Sequence, residues 1–198
     1  MRTEDEGAKK IRAFIALKTP PEWDAELGKL QERLKAELRT KAIRWTKPEQ
    51  VHITLRFFGS ISVDEVERVA AAFPRICAGH QPFSLRCEGL GCFPNVRRAR
   101  VLWVGIGGQV ERVRRLQEAV VLATGKIGKP AEERLFKPHL TLGRIEGLER
   151  SSGERLEKLV EGGFQIEAEW TVTELLLMHS HLSSQSARYE TIARCDLG

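Results

Sequence analysis

The sequence has no long hydrophobic run. No stretch of about 18 apolar residues occurs in its 198 residues, which argues against a membrane-spanning helix. Cysteine is also scarce, and its four copies form no Cys-x-x-Cys pair and no metal-ligand spacing with a histidine. We therefore expect small thiols, buried or half-buried, in a cytoplasmic protein: Cys77, Cys87, Cys92 and Cys195.

The amino terminus is charged and has no apolar stretch, unlike a secretory signal peptide. We expect a flexible leader over residues 1–10 and a single domain over residues 11–198. No low-complexity linker divides that domain, and 41% hydrophobic residues are enough for a sizeable core. The net charge of +5 is a mild bias toward polyanions such as RNA, and many ordinary enzymes share it.

Hydrophobic periodicity predicts helices and strands in mixed order. Three capping boxes, at Thr19/Glu22, Ser62/Glu65 and Ser151/Glu154, indicate helix starts, the first with a proline at the first helical position. We expect Val63, Val66, Val69, Ala70 and Phe73 to face inward from the second helix. Alternating or continuous apolar patterns predict strands over residues 11–17, 51–58, 83–87, 101–106, 139–145, 164–168, 170–178 and 188–195. This order predicts an α+β fold with largely antiparallel sheets.

One motif occurs twice, 87 positions apart. Val51-His-Ile-Thr-Leu and Pro138-His-Leu-Thr-Leu each follow a helical segment and a loop that contains proline. Alternation along a strand places His52 beside Thr54, and His139 beside Thr141, with apolar neighbours facing the other side. The repeat suggests two related lobes that each present one strand to a shared cleft.

Two imidazoles and two hydroxyls suit metal-free acid–base cleavage of a phosphodiester. One histidine can take a proton from the attacking group while the other protonates the departing oxygen, because histidine titrates near neutral pH. Threonine hydroxyls can donate to the non-bridging oxygens, where negative charge accumulates. A single His-x-Thr strand is more often a half-buried structural histidine, so the prediction depends on both copies. No carboxylate cluster suited to Mg²⁺ is evident, and we expect neither a metal nor a cofactor.

The motifs resemble those of the two-histidine (2H) phosphoesterases, in particular the bacterial and archaeal RNA 2′,3′-cyclic phosphodiesterases, first described as 2′-5′ RNA ligases. The resemblance covers about residues 11–195. It includes these segments, in the family's order: Arg12-Ala-Phe-Ile-Ala-Leu, Gln50-Val-His-Ile-Thr-Leu-Arg-Phe-Phe-Gly, Gly89-Leu-Gly-Cys-Phe-Pro, Arg100-Val-Leu-Trp-Val-Gly, Phe136-Lys-Pro-His-Leu-Thr-Leu-Gly-Arg and Ala187-Arg-Tyr-Glu.

The resemblance implies a bilobal, pseudo-two-fold fold, with two sheets around a central cleft and helices outside. It implies hydrolysis of RNA 2′,3′-cyclic phosphate ends to 2′-phosphate ends, with reversible 2′-5′ ligation as a further reaction, and tRNA fragments as candidate substrates. By similarity, His139 activates water, His52 protonates the departing 3′ oxygen, and Thr54 and Thr141 hold the phosphate. The residues alone do not assign the acid and the base.

Further candidates are Phe57 and Arg144, each five residues after a motif histidine, where family members sandwich the terminal base. The odd offset places both on the strand face opposite to that of His52 and His139, so a bulge, or an earlier end of the strand, would have to turn them into the cleft. Core packing is the alternative for Phe57. Lys137 is a candidate backbone-phosphate contact. Tyr189 could reach the cleft or be structural.

Two groups remain with open roles. His179 and His181 could form a metal pair, but without a third ligand in register we favour surface residues. Clustered arginines could bind RNA phosphates or form a solvated surface: Arg97, Arg98, Arg100, Arg112, Arg114 and Arg115. Other functions also remain open, namely a phosphodiesterase for a small cyclic or 2′-5′-linked nucleotide, or a non-catalytic module that binds RNA ends. We expect a monomer.

Overall fold

The computed structural model describes residues 10–131, 135–162, 165–182 and 187–198. In these ranges the elements follow the order β1 (Lys10–Lys18), α1 (Pro21–Leu38), β2 (Ile43–Trp45), β3 (His52–Ser62), α2 (Val63–Cys77), β4 (Phe83–Phe93), β5 (Val101–Gly108), α3 (Val110–Thr124), β6 (His139–Ile145), α4 (Arg150–Glu161), β7 (Gln165–Val172), β8 (Glu174–Leu182) and β9 (Ala187–Asp196).

The strands form two sheets, and every strand pair in them is antiparallel. The first sheet has the order β3-β1-β8-β9, and the second has the order β2-β6-β5-β4-β7. The strands β3 and β6, which carry the two His-x-Thr motifs, contact each other and join the sheets. The predicted α+β fold with two mostly antiparallel sheets is therefore confirmed.

Helices cover one face of each sheet and leave the other face to the cleft. Helices α2 and α3 pack together, α2 contacts β1, β3, β8 and β9, and α3 contacts β3. Helix α1 packs on the second sheet, where Trp23 meets the edge of Trp170 at 5.5 Å. Ser152 of α4 donates to the carbonyl of Leu38 in α1, which joins these two helices. Apolar burial on these faces supplies most of the driving force for folding.

The two halves of the chain repeat one order of elements. The sequence β1–α1–β3–α2 in the first half corresponds to β5–α3–β6–α4 in the second. Two helices pack on the sheet to which their preceding strand does not belong. Helix α1 follows β1 of the first sheet and packs on the second sheet. Helix α3 follows β5 of the second sheet and packs on the first. The lobes suggested by the repeated motif are thus interlocked.

Two of the three predicted capping boxes are wrong. The Ser62/Glu65 box forms, with both reciprocal hydrogen bonds present. Pro20 is the N-cap of α1 instead of Thr19, whose hydroxyl donates to the carbonyl of Val51 in a buried contact. Glu149 is the N-cap of α4, so that Ser151 lies inside the helix. At α1, the buried hydrogen bond of Thr19 and the proline at the first helical position, Pro21, fit the observed boundary.

Other boundaries also differ from the predictions. Strand β3 continues past Gly59, which adopts a positive φ of 75°, to Ser62. The short strand β2 was not predicted, because three residues carry no periodic signal. Val63 is 39% exposed rather than inward-facing, since it occupies the first position of α2.

The tail forms three strands as predicted, with the first break at Thr173 instead of Glu169. Phe164 lies outside the described residues, as do residues 1–9 of the expected leader, whereas Lys10 already belongs to β1.

No helix among the described residues is long and apolar enough to cross a membrane. All four cysteines are free, and three are buried.

Candidate active site

A small apolar cluster, separate from the main core, lines the first-sheet side of the cleft. It consists of four buried side chains from β1 and β8, and of two half-buried rings that pack against them: Phe14, Ala16, Leu176, Met178, Phe57 and Tyr189. The alternate residues of the same strands, such as Ile15 and Leu177, belong to the main core under the helices. The sheet thus has an apolar helix-covered face and a second face available to a ligand.

The ring of His52 lies against this cluster. It stacks on Phe14 with ring centroids 4.9 Å apart, and it meets the edge of Tyr189 at 5.2 Å. Its Nδ1 is 2.8 Å from the carbonyl oxygen of Gln50. Because a carbonyl only accepts, Nδ1 carries the proton and donates, and the neutral ring has its lone pair on Nε2.

Burial changes the protonation of His52. Desolvation lowers its pKa from 6.5 to about 4, the hydrogen bond to Gln50 opposes this shift, and the charge of His139 adds to it. That electrostatic effect places the two motif histidines within interaction range of each other. His52 is therefore neutral at pH 7 in the free protein.

His139 has the same local arrangement in the second sheet. Its Nδ1 is 2.8 Å from the carbonyl oxygen of Lys137, two residues earlier, just as Nδ1 of His52 bonds to Gln50. Phe93 meets the ring at 4.8 Å, edge to face, and Trp103 lies at 6.2 Å. Each histidine is thus oriented by a backbone carbonyl and an aromatic neighbour, and Nε2 is the ring nitrogen that can exchange a second proton.

The two threonines lie beside the histidines, as the strand alternation predicts. Thr54 is half-buried and pairs with Ala16 of the cleft cluster, two residues from His52. Thr141 is half-buried and pairs with Trp103, which contacts His139. Two hydroxyls therefore accompany the two imidazoles, one pair on each strand.

Both motif strands contain a bulge at the same point. In β3, Ala16 pairs with Thr54 and Ile15 with Arg56, so Leu55 is the extra residue. In β6, Trp103 pairs with Thr141 and Leu102 with Gly143, so Leu142 is the extra residue. Each bulge lies three residues after its histidine and reverses the alternation beyond it.

The bulges explain how Phe57 and Arg144 can face the cleft despite their odd offset from the motif histidines. After the bulge at Leu55, Arg56 points to the core side, and Phe57 pairs with Phe14 on the cleft side. The guanidinium of Arg12 lies 4.4 Å above the Phe57 ring. Arg144 pairs with Val101 after the second bulge. Burial raises the pKa of Tyr189, and the charge of Arg144 partly offsets this rise. Arg144 therefore reaches toward the ring that touches His52.

Lys137 lies next to the second motif and extends over the cleft wall. Its Nζ is 4.3 Å from the ring centroid of Trp103, which is 6% exposed. On the neighbouring strand β4, Gly91 is the cross-strand partner of Trp103. A Cβ at position 91 would lie 2.2 Å from the indole, so only glycine leaves room for Trp103. This contact gives a physical reason for glycine at position 91.

The sequence reasoning missed four aromatic or cationic neighbours of the site. Phe14 and Arg12 alternate along β1 with core residues, and this strand was assigned one apolar face without a role for the other. Phe93 lies beyond the predicted strand over residues 83–87, and Trp103 comes from a strand whose continuous apolar pattern hides which face is which. Only the pairing of distant strands shows that these rings touch His52, His139 or Phe57.

Comparisons with known proteins identify relatives over most of the chain. The model of the "LigT like Phosphoesterase" family matches residues 17–103 and 105–189, and each segment contains one His-x-Thr motif. An RNA 2′,3′-cyclic phosphodiesterase from Aquifex aeolicus is 31% identical over 193 residues, covering 96% of this chain and 99% of that protein.

Solved structures share the fold. The TT0787 structure from Thermus thermophilus has a TM-score of 0.74 at 24% identity, covering 94% of this chain and 98% of that one. E. coli LigT complexed with 3′-AMP has a TM-score of 0.67 at 21% identity, covering 96% and 99%. The paired motifs, the two-sheet fold and the family match over most of the length lead to one conclusion: the chain belongs to the LigT-like phosphoesterases, the 2H family.

Proposed function

We propose that this protein hydrolyses RNA 2′,3′-cyclic phosphate ends to 2′-phosphate ends without a metal ion. The observation that carries the proposal is the pair of histidines, each held through Nδ1 by a backbone carbonyl 2.8 Å away and each followed by a threonine on the same face. The name of the Aquifex aeolicus relative supports the substrate class, and the complex of E. coli LigT with 3′-AMP supports a nucleotide as ligand.

The reaction needs two proton transfers. A water oxygen attacks phosphorus, the bond from phosphorus to O3′ breaks, and the phosphate stays on O2′. One histidine takes a proton from the water through Nε2, and the other gives a proton to O3′. The hydroxyls of Thr54 and Thr141 donate to the non-bridging oxygens as charge develops there.

We assign His139 as the base and His52 as the acid, as the family resemblance implies. The neutral state of His52 in the free protein does not oppose this assignment, because an arriving phosphate anion raises the pKa of a nearby imidazole. Once protonated, a histidine with a low intrinsic pKa is a strong acid toward O3′. Binding the substrate and charging His52 are then coupled events.

A substrate with sulfur in place of O3′ tests this assignment. A thiolate leaves without protonation, so the general acid becomes dispensable while the base stays necessary. We expect His52→Ala to lose about 10²-fold or more in rate on the oxygen substrate and far less on the sulfur substrate. His139→Ala is expected to lose a similar factor in rate on the oxygen and the sulfur substrate. If instead His139→Ala is rescued by the sulfur substrate and His52→Ala is not, His139 is the acid and His52 the base.

Phe57, Arg144 and Lys137 complete the proposed site. The Phe57 ring on the cleft face and the Arg144 guanidinium offer stacking surfaces for an unpaired terminal base. Lys137 is exposed above Trp103 and can contact a backbone phosphate. Candidate substrates include tRNA fragments, and we expect the protein to act as a monomer.

The decisive experiment uses an oligoribonucleotide with a 2′,3′-cyclic phosphate end, in the presence of EDTA. We expect a 2′-phosphate product from the wild type and a loss of about 10²- to 10⁴-fold in His52→Ala and in His139→Ala. His80→Ala, a histidine in the loop between α2 and β4, is the matched control and should keep full activity. Unchanged hydrolysis in either motif variant, or an absolute need for a divalent ion, would refute the mechanism.

The same assay separates the alternatives. Faster turnover of a cyclic mononucleotide than of the oligonucleotide would favour a small-nucleotide phosphodiesterase, and binding without turnover would favour an RNA-end-binding module. Joining of the cyclic end to a 5′-hydroxyl RNA through a 2′-5′ bond would establish the ligation reaction.

A further inference from the structure

Three potential metal ligands meet on the face of the first sheet that is opposite the cleft. His179 and His181 lie two residues apart on β8, and Glu190 of β9 is the direct cross-strand partner of His179. Tyr189 and Ser180, which alternate with them, form a pair with each other, and Tyr189 packs on the cleft cluster. The three ligands therefore lie on the side of the sheet away from His52.

The ligand atoms are already close together. The two imidazole rings have centroids 3.7 Å apart, and Nε2 of His181 is 2.8 Å from a carboxylate oxygen of Glu190. One ligand atom from each residue lies within 4.8 Å of the others. Ligand atoms around a tetrahedral zinc ion stand about 3.4 Å apart, so small side-chain rotations would bring all three to coordination distance.

We propose that His179, His181 and Glu190 form a binding site for a divalent ion of the zinc class. Two imidazoles and one carboxylate suit Zn²⁺, Ni²⁺, Cu²⁺ or Co²⁺, whereas Mg²⁺ and Ca²⁺ prefer sites made of oxygen. The side chains of His181 and Glu190 are 39% and 58% exposed, so an ion can enter and water can fill the remaining coordination positions.

The surrounding charge limits the affinity of this site. Arg188 is the cross-strand partner of His181 and contributes to the lowered pKa of Glu190, after the larger effect of the His181 hydrogen bond. A guanidinium this close repels a cation. Removing the charge of Arg188 is therefore expected to tighten metal binding, an effect that unspecific adsorption to surface histidines would not show.

A bound ion would join β8 to β9, which is an edge strand. Tyr189 precedes Glu190 in β9 and touches the ring of His52 at 5.2 Å. The ion would thus hold the strand that supplies one wall of the cleft, from the opposite side of the sheet. Its role is structural, and the site stands independently of the reaction proposed above.

Calorimetric titration of the metal-free full chain with Zn²⁺ tests the site. We expect one equivalent to bind, an excess of Mg²⁺ not to compete, and His181→Ala or Glu190→Gln to weaken binding about tenfold or more. Arg188→Gln should tighten it severalfold. Two controls should bind Zn²⁺ as the wild type does. They are His80→Ala and the double variant His52→Ala/His139→Ala, which lacks both motif histidines.

Equal affinity in wild type and His181→Ala would overturn the proposal, as would loss of binding in the His52→Ala/His139→Ala variant. Visible absorption of Co²⁺ bound to the wild type and to His179→Asn gives a second readout that does not depend on calorimetry. A rise of several degrees in the wild-type Tm with Zn²⁺, absent in Glu190→Gln, is also expected.

Discussion

At the scale of single residues, the protonation of His52 is governed by its position between Phe14 and Tyr189. The sequence predicts a histidine that can exchange a proton near neutral pH, but the neighbours of that ring come from β1 and β9. Desolvation by these neighbours is a tertiary effect, and a motif on one strand carries no signal for it. The chemistry of the residue was predictable, whereas its pKa required the fold.

This burial makes the stability of the protein depend on pH. The pKa of His52 is about 4 in the folded chain and about 6.5 in the unfolded chain, so the unfolded state binds the proton first as the pH falls. The contribution of His52 to the free energy of unfolding is complete above about pH 6.5 and decreases by about 3 kcal/mol by about pH 4.

Urea unfolding of the wild type and His52→Gln at a series of pH values checks this prediction. The difference in unfolding free energy between the two proteins should be constant above about pH 6.5 and should shift in favour of the variant below it. Parallel pH profiles for the two proteins would show that residue 52 is not desolvated in the folded state.

At the scale of elements, the two bulges decide which side chains reach the cleft. Strict alternation would place Phe57 on the same side as the core, so the sequence alone predicts only that the strand must bulge or end before this residue. The register of β3 against β1 and of β6 against β5 shows one extra residue in each motif strand. A bulge depends on the partner strand, so a single sequence could indicate its need but not its presence.

The bulge at Leu55 gives neighbouring residues opposite environments. Arg56 is 4% exposed, and its guanidinium donates to the carbonyl oxygens of Val121 at 3.3 Å and Ile127 at 3.0 Å, in and just beyond the last turn of α3. Phe57 is half-buried on the cleft side. Arg56 therefore holds the end of α3 and the segment after it to the first sheet, and Phe57 is available to a ligand.

Paired substitutions at these two positions test the bulge. We expect Phe57→Leu to raise the KM for the cyclic-phosphate oligonucleotide about tenfold, through lost base stacking, with little change in stability. Arg56→Met should lower the free energy of unfolding by about 2–4 kcal/mol because it leaves buried carbonyls without donors, and its KM should stay near the wild-type value. The two effects are measured by steady-state kinetics and by urea unfolding, and an exchange of the two outcomes would contradict the observed register.

At the scale of the whole molecule, the repeat of the motif predicts two lobes but not how they interlock. The exchange of α1 and α3 between the sheets depends on contacts between residues far apart in sequence, such as the bond from Gln31 to the carbonyl of Leu142. Local periodicity and helix-start signals correctly indicated most helices and strands of the described residues. The strand order and the shared cleft arise from these long-range pairings, which periodicity does not encode.

The distribution of charge over the molecule bears on whether the substrate is a polymer. Phe93, whose ring touches His139, ends β4, and the loop that follows exposes Arg97 and Arg98. These guanidiniums could contact the backbone phosphates of an RNA chain that continues past the end of β4, and a mononucleotide has no such phosphates. Arg114 and Arg115 of α3 also have exposed side chains, but each lies within 4 Å of a carboxylate oxygen of Glu111, at 3.5 and 3.8 Å.

These two arginine pairs give matched double variants. We expect Arg97→Ala/Arg98→Ala to weaken binding of a cyclic-phosphate oligonucleotide and to reduce the slope of log K against log salt by about 1.4, as loss of two phosphate contacts to a single strand requires. Turnover of a cyclic mononucleotide should not change, because it has no further backbone phosphates for these arginines to contact. Arg114→Ala/Arg115→Ala removes the same formal charge and should leave both substrates unaffected. If both double variants weaken oligonucleotide binding equally, the net charge of the molecule is responsible, and the loop after Phe93 does not guide the RNA.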